Sequence, residues 1–519
     1  MTTPGTLAAV IGHHAARTPD KVALRFAGAT TTFAELDEAS SRCAAGLRAL
    51  GVRPGDRVAV LDRNSPEYLE LAFAVAKAGA VLTSVNFRLA PREVAYILTD
   101  SRPRVLVVGA DYVPLVAQLR LDPAPELLVI GGSETRDHGT DDYRSWVRRH
   151  PAEGADGPEP GDLFCQLYTS GTTGHPKGVQ LTHHNVLEFA RRHRTALRMT
   201  AASVHQMCTP LFHISGLGTS LMSIDAGAET VLIRDPLPGA VLDSMVEDRI
   251  THAGLVPAMM GAVLELAGGS DHDLSRLEMV LYGAAPMTEA VLRRALARFG
   301  CSFVGSFGLT ESSGGFAVLA AEDHDPSAPH RLRSVGRPFS GMQMRLVDPD
   351  TLAEVAVGET GEIQVRGSQV MAGYWNQPEA TEQTLLPEGW LRTGDAGHLD
   401  ADGYLYLRDR IKDMIVSGGE NIYPVEVENT LASHPGIAEV AVIGVPHDRW
   451  GETPKAFVVV RDGAALEPAE VIAYARAEMA TYKCPTSVEF LDVLPRNASG
   501  KVLKRELRAP FWPDQEVLS

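Results

Sequence analysis

Cysteine is scarce and scattered. Five occur in 519 residues (Cys43, Cys165, Cys208, Cys301 and Cys484), and no two are spaced as CxxC. This excludes a disulfide framework and a cysteine zinc site, and it fits thiols held in a reducing compartment. Long apolar runs are missing too. The most apolar stretch, YLELAFAVAKAGAVL at 68–82, is interrupted by Glu70 and Lys77 and is too short to span a bilayer. No basic segment precedes an apolar run near the N-terminus, so no signal peptide is predicted and the expected location is cytoplasmic. Bases are outnumbered, 48 Lys and Arg against 65 Asp and Glu, giving a net charge of −17. Such a chain repels nucleic-acid phosphates and anionic lipid heads, which argues against both as general partners.

What is present is a soluble globular composition, 45% hydrophobic and 22% charged, in a chain long enough for two or more domains. Thr32-Phe33-Ala34-Glu35 is a capping-box signature, followed by apolar residues on one helical face and then Gly51. RVAVL at 57–61 has a buried-strand pattern. Ser65-Pro66 predicts the start of a helix ending near Gly79, and AVLTSV predicts another strand. Repeated β–α–β units of this kind predict an α/β fold of mainly parallel sheets covered by helices. Residues 123–161, rich in Pro, Gly and acids, read as a loop-rich passage. From about 340 short strands and turns predict a small β-rich subdomain, and from about 411 a smaller α+β unit. The expected domains are 1–409 and 413–519, with a boundary at 409–412.

The segment YTSGTTGHPKGV at 168–179 is the most specific feature. Walker A requires a Gly-Lys pair that is absent here, and GxGxxG fails because Leu221 stands where the third glycine belongs after Gly216 and Gly218. Ser170, Thr172 and Thr173 offer hydroxyls, Gly171 and Gly174 leave backbone N–H groups accessible, and Lys177 adds a point charge. Together they suit phosphate.

With six further motifs in order, the chain resembles the adenylate-forming enzymes, the family of acyl-CoA synthetases, firefly luciferase and nonribosomal-peptide adenylation domains. The six are PLFHISGL (210–217), YGAAPM (282–287), SFGLTES (306–312), WLRTGDAG (390–397), RDRIKDMIVSGGENIYPVEVE (408–428) and LPRNASGKVLKREL (494–507). The resemblance spans nearly the whole length and is greatest to fatty-acyl-type synthetases. It implies activation of a carboxylic acid by MgATP to acyl-AMP, then transfer to CoA.

The resemblance also assigns residues. Thr169, Ser170, Gly171, Thr172, Thr173, Gly174 and Lys177 match the phosphate loop. Gly283, Ala284 and Ala285 match the loop against adenine, and Ser306, Phe307, Gly308 and Thr310 the nucleotide motif, with Phe307 where many relatives carry tyrosine. Glu311 and Thr169 match the magnesium-associated pair. Asp395 and Arg410 match the ribose contacts, although Asp395 could equally serve an Asx turn beside Gly394. Lys501 matches the lysine that reaches the carboxylate and α-phosphate. Lys412 matches a hinge (410–412) about which a mobile C-terminal domain alternately presents Lys501 and the CoA-side segment Ser417-Gly418-Gly419. Alone, His213 would read as a buried side chain; in PLFHISGL it is placed to position the acid. Amino-acid-activating relatives commonly carry aspartate there, so Phe212-His213 points to an acid without an α-amino group.

The leading expectation is therefore a carboxylic acid–CoA ligase for a fatty or aryl acid, with ATP, Mg2+ and CoA. An amine or a carrier-protein thiol as acceptor is the alternative. The acid itself, control by acylation of Lys501 and the assembly, a homodimer included, are left open by the sequence.

Overall fold

The computed structural model describes residues 4–131, 141–153, 157–169, 176–268, 272–285, 287, 289–349, 351–410, 413, 415–417, 420–422, 424–447, 450–479, 481–497 and 501–512. They build four sheets with helices between and around them. The first has nine strands. Its parallel centre runs through Ser302–Leu309, Met279–Gly283, His252–Leu255, Val204–Met207, Glu229–Leu232 and Val22–Phe26, and its edge pairs are antiparallel. The second has eight strands. Val81–Ser84, Arg57–Leu61 and Val105–Gly109 are parallel at its centre, and Leu163–Thr169 returns antiparallel as Lys177–Thr182. A third, antiparallel sheet holds four strands between 342 and 410.

Local signals explain the elements. Thr32 and Glu35 close the capping box on helix Phe33–Ala49, and Gly51 follows with φ +79°. Ser65 caps helix Pro66–Ala78 through the Tyr68 N–H, and left-handed Gly79 ends it. That helix is buried on nearly every face because it packs against the helices Leu7–Arg17 and Phe33–Ala49 and against strand Val81–Ser84. One core joins it to the inner faces of the first three sheets, through residues such as Val58, Leu82, Leu217, Phe316, Ile363 and Leu405. Among the described residues no helix is long and apolar enough to cross a membrane.

The fourth sheet is built from residues 415 to 490. Strand Ile437–His447 alternates strictly. Val442 faces a core with Ile415, Val458 and Val471, while Ala441 and Ile443 face one with Phe457, Leu494 and Leu507.

One expectation is corrected. Within 123–161, Glu126–Ile130 pairs parallel with Val105–Gly109, and Asp142 caps helix Tyr143–Arg148 through the Ser145 N–H. The apolar run ELLVI and the buried rings of Tyr143 and Trp146 outweigh the flanking Pro and Gly. Residues 132–140 and 154–156 lie outside the described residues.

Candidate active site

The segment YTSGTTGHPKGV straddles a hairpin. Leu163–Thr169 pairs with Lys177–Thr182 so that Thr169 lies directly opposite Lys177. Ser170, Gly171, Thr172, Thr173 and Gly174, between them in sequence, lie outside the described residues. The hairpin is anchored from behind. The Tyr168 hydroxyl donates to Asp100 Oδ2 (2.5 Å), Gln166 Nε2 donates to Tyr168 Oη (2.8 Å), and Trp375 Nε1 donates to the Asp100 carbonyl (3.0 Å).

The two charged residues expected to meet the triphosphate come together across a phenol. Lys177 Nζ lies 5.0 Å from the centre of the Tyr374 ring, within cation–π range. The Tyr374 hydroxyl donates to Glu311 Oε1 at 2.9 Å. Glu311 itself sits in the short turn Thr310–Ser312, whose end is fixed by Ser312 Oγ donating to the Gly314 carbonyl (2.7 Å) and Ser313 Oγ donating to the Gln369 carbonyl (2.7 Å). A carboxylate and the Thr169 hydroxyl are hard oxygen donors, too few to cage an ion. Among the described residues no three His, Cys, Asp or Glu side chains cluster as a metal site. That donor set fits Mg2+, which keeps waters and takes substrate phosphate oxygens as ligands.

The nucleotide motifs occupy the C-terminal ends of two neighbouring parallel strands, with Gly283 in register with Ser306. A Cβ at Gly283 would collide with the Ser306 carbonyl oxygen, so close strand approach alone requires glycine there. Ala284 follows at φ +64°, turning the chain away from the sheet. The Ser306 hydroxyl is committed elsewhere. His193 Nδ1 donates to the Phe189 carbonyl (3.0 Å), which leaves Nε2 to accept from Ser306 Oγ (2.9 Å). Burial pushes the His193 pKa down to about 4 and keeps the ring neutral. Phe307 rests edge-on against Phe316, ring centres 5.2 Å apart.

Asp395 and Arg410 are register partners on adjacent antiparallel strands, so the two expected ribose contacts are brought side by side; the Arg410 side chain lies outside the described residues. The turn at Gly394 is made by Thr393 Oγ1, which accepts from the Asp395 N–H (3.1 Å), so it is not an Asx turn of Asp395.

His213 is the N-cap of helix Ile214–Asp225. Its Nδ1 accepts the Ser215 N–H (3.2 Å) and lies 2.9 Å from Ser215 Oγ. Burial lowers its pKa to about 4, so the neutral ring carries its hydrogen on Nε2.

Lys501 is exposed. Its turn is closed by mutual bonds between Asn497 N and the Lys501 carbonyl and between Lys501 N and Asn497 Oδ1, both 2.8 Å. Its neighbour Lys504 pairs with Glu428 (2.9 Å). Ser417 is buried and in register with Glu420, whereas Lys412, Gly418 and Gly419 lie outside the described residues.

Residues 11–375 match the model of the AMP-binding enzymes, and residues 426–501 match the model of the AMP-binding enzyme C-terminal domain. The chain belongs to the AMP-binding enzyme family. It is 37% identical to a fatty acid–[acyl-carrier-protein] ligase of Streptomyces coeruleorubidus, over 98% of this chain and 97% of that one. It is 41% identical to a feruloyl-CoA synthase of an Amycolatopsis species, over 95% and 96%. It superimposes on the crystal structure of an anthranilate CoA ligase in complex with anthranoyl-AMP with a TM-score of 0.90, at 29% identity, covering 98% of each chain.

In this AMP-binding enzyme, sequence reasoning missed Tyr374, His193 and His324. His324 accepts from the Tyr282 hydroxyl (3.0 Å) just before the adenine-side loop. Of the three, only His193 had a local signal, its i, i+4 spacing from Phe189 on one helix.

Proposed function

We propose that this AMP-binding enzyme is an AMP-forming carboxylic acid–CoA ligase for a fatty or aryl acid without an α-amino group. The observation that carries the reading is the Lys177–Tyr374–Glu311 arrangement at the mouth of the phosphate hairpin. It places one cation and one anion, held apart, where a triphosphate and its counter-ion are to be received. Lys177 and the loop 170–174 bind the β- and γ-phosphates. Glu311 and Thr169 would hold Mg2+, which when bound offsets the charge of the triphosphate. Gly283 to Ala285 and the segment Ser306, Phe307, Gly308 and Thr310 line the adenine, and Asp395 and Arg410 take the ribose hydroxyls.

A carboxylate oxygen attacks the α-phosphorus, the α–β bridging bond breaks, and pyrophosphate leaves. Lys501 meets the charge that builds on the α-phosphate, and the neutral His213 donates from Nε2 to the acid. The CoA thiol, losing its proton to solvent, then attacks the acyl carbon and AMP leaves. Residues 1–409 form the adenylation domain. Residues 410–412, Lys412 included, are the hinge, and 413–519 swing to exchange Lys501 for Ser417, Gly418 and Gly419 beside the thiol. The protein works in the cytoplasm.

A carrier-protein thiol in place of CoA is the second reading, favoured by the 37% identity to an acyl-carrier-protein ligase. The test is incubation with MgATP and a panel of fatty and aryl acids, with and without CoA, with acyl-AMP, acyl-CoA and AMP recorded by mass spectrometry. Acyl-CoA formed only with CoA and an intact Lys501 supports the ligase. Acyl-AMP that accumulates and ignores CoA moves the acceptor to a carrier protein.

A further inference from the structure

The segment 371–375 belongs to none of the seven motifs, yet it is hydrogen-bonded to two of them. On one side it adds a short strand to the phosphate hairpin, with Gly373 opposite Gln180 and Tyr374 opposite Val179. Ala372 N donates to the Gln180 carbonyl (2.9 Å) and Trp375 N to the Gly178 carbonyl (2.8 Å). On the other side Met371 N donates to the Glu311 carbonyl (2.8 Å). The one side chain of this strap that touches both charged groups is Tyr374, with its hydroxyl on Glu311 Oε1 and its ring beneath Lys177 Nζ. Its backbone N–H is itself fixed by Thr381 Oγ1 (2.9 Å).

Two opposite charges on neighbouring, partly buried elements have an easy alternative, a direct ion pair. Such a pair would satisfy each group with the other, and nucleotide binding would then have to break it. A phenol prevents this. Its face attracts the ammonium without neutralising it, and its hydroxyl occupies one carboxylate oxygen while leaving the other available.

We propose that Tyr374 is a positioning residue for the nucleotide step, a spacer that keeps Lys177 and Glu311 from pairing so that the lysine is kept for phosphate and the carboxylate for the metal. The inference rests on the reading of Glu311 as the magnesium carboxylate. Neighbours that orient a ligating carboxylate are typically worth about 10- to 100-fold in metal affinity.

The test is ATP binding by titration calorimetry, once in EDTA and once in saturating Mg2+, on the full-length protein and four variants. Tyr374→Phe keeps the ring and loses the tether. Its Kd for ATP in EDTA should stay within about twofold of wild type, and the gain in affinity on adding Mg2+ should shrink by about tenfold. Tyr374→Leu loses both contacts and lets the ion pair form, so binding in EDTA should weaken at least about fivefold. Adding Glu311→Gln to Tyr374→Leu frees the lysine and should restore binding in EDTA, which a general loss of structure cannot do. If Tyr374→Phe leaves the Mg2+ gain at its wild-type size, the proposal is overturned, and that variant decides alone should Tyr374→Leu not fold. Glu311→Gln by itself separates the two failures. If it leaves the Mg2+ gain intact, the reading of Glu311 fails; if it abolishes the gain while Tyr374→Phe does not, that reading stands and only the spacer is rejected.

Discussion

His213 and Glu70 show how burial sets what a single titratable residue can do. With its pKa lowered to about 4 and Nδ1 taken by Ser215, His213 is a neutral donor of fixed direction. His213→Phe keeps the bulk and removes the donor. Steady-state kinetics should show kcat/KM for the acid falling by roughly 100-fold, with the Kd for ATP unchanged. Glu70 is pushed the other way. Burial raises its pKa to about 7, although the Tyr143 hydroxyl donates to it at 3.0 Å. A carboxyl whose folded pKa lies above its unfolded value of about 4.5 holds its proton longer in the native state. Stability is therefore lost as pH rises from about 4.5 to 7. Glu70→Gln removes that loss and should raise stability at pH 8 by on the order of 2 kcal/mol, read from urea midpoints at pH 5 and pH 8.

At the scale of elements, the sequence was legible wherever the determinant is local. Thr32 with Glu35, and Ser65-Pro66 with Gly79, mark helix ends within a few residues, and the structure has those caps. Strands such as Arg57–Leu61 follow from short apolar runs. Three of the resemblance's site assignments also gain direct geometry: Thr169 opposite Lys177, Gly283 beside Ser306, and Asp395 beside Arg410. What was not legible depends on contacts distant in sequence. Tyr374 reaches Glu311 across 63 residues from a two-residue strand too short to carry a periodicity. The edge strand Glu126–Ile130 is defined by its neighbour Val105–Gly109 as much as by its own residues.

The tight return from Ser302–Leu309 to Gly314–Leu319 is a similar case, because a Cβ at Gly308 would fall on the Gly314 carbonyl oxygen. Gly308→Ala must therefore spread the two strands that carry Phe307 and Glu311. It is expected to destabilise by about 3 kcal/mol in chemical denaturation and to weaken ATP binding alongside.

Across the whole molecule, neutral buried histidines set the acid limit. Burial lowers His183, His193 and His213 to about 4 and His205 to about 3. Each has a folded pKa below its unfolded value of 6.5. The stability they contribute is complete above pH 6.5 and is lost as pH falls toward 4, because the unfolded chain takes up protons that the native interior refuses. These four groups alone should make unfolding near pH 5 consume about four protons, seen as a steep fall in denaturation midpoint between pH 6.5 and 4.5.

The central claim is larger than stability. It is that this molecule holds a triphosphate between Lys177 and Glu311 while a carboxylate attacks the α-phosphorus. Acid-dependent exchange of labelled pyrophosphate into ATP measures that step alone, with no CoA present. The account predicts exchange that requires both Mg2+ and a fatty or aryl acid and that falls at least about 100-fold in Lys501→Ala. Exchange that proceeds equally without any acid, or that survives Lys177→Ala and Glu311→Gln undiminished, would contradict it.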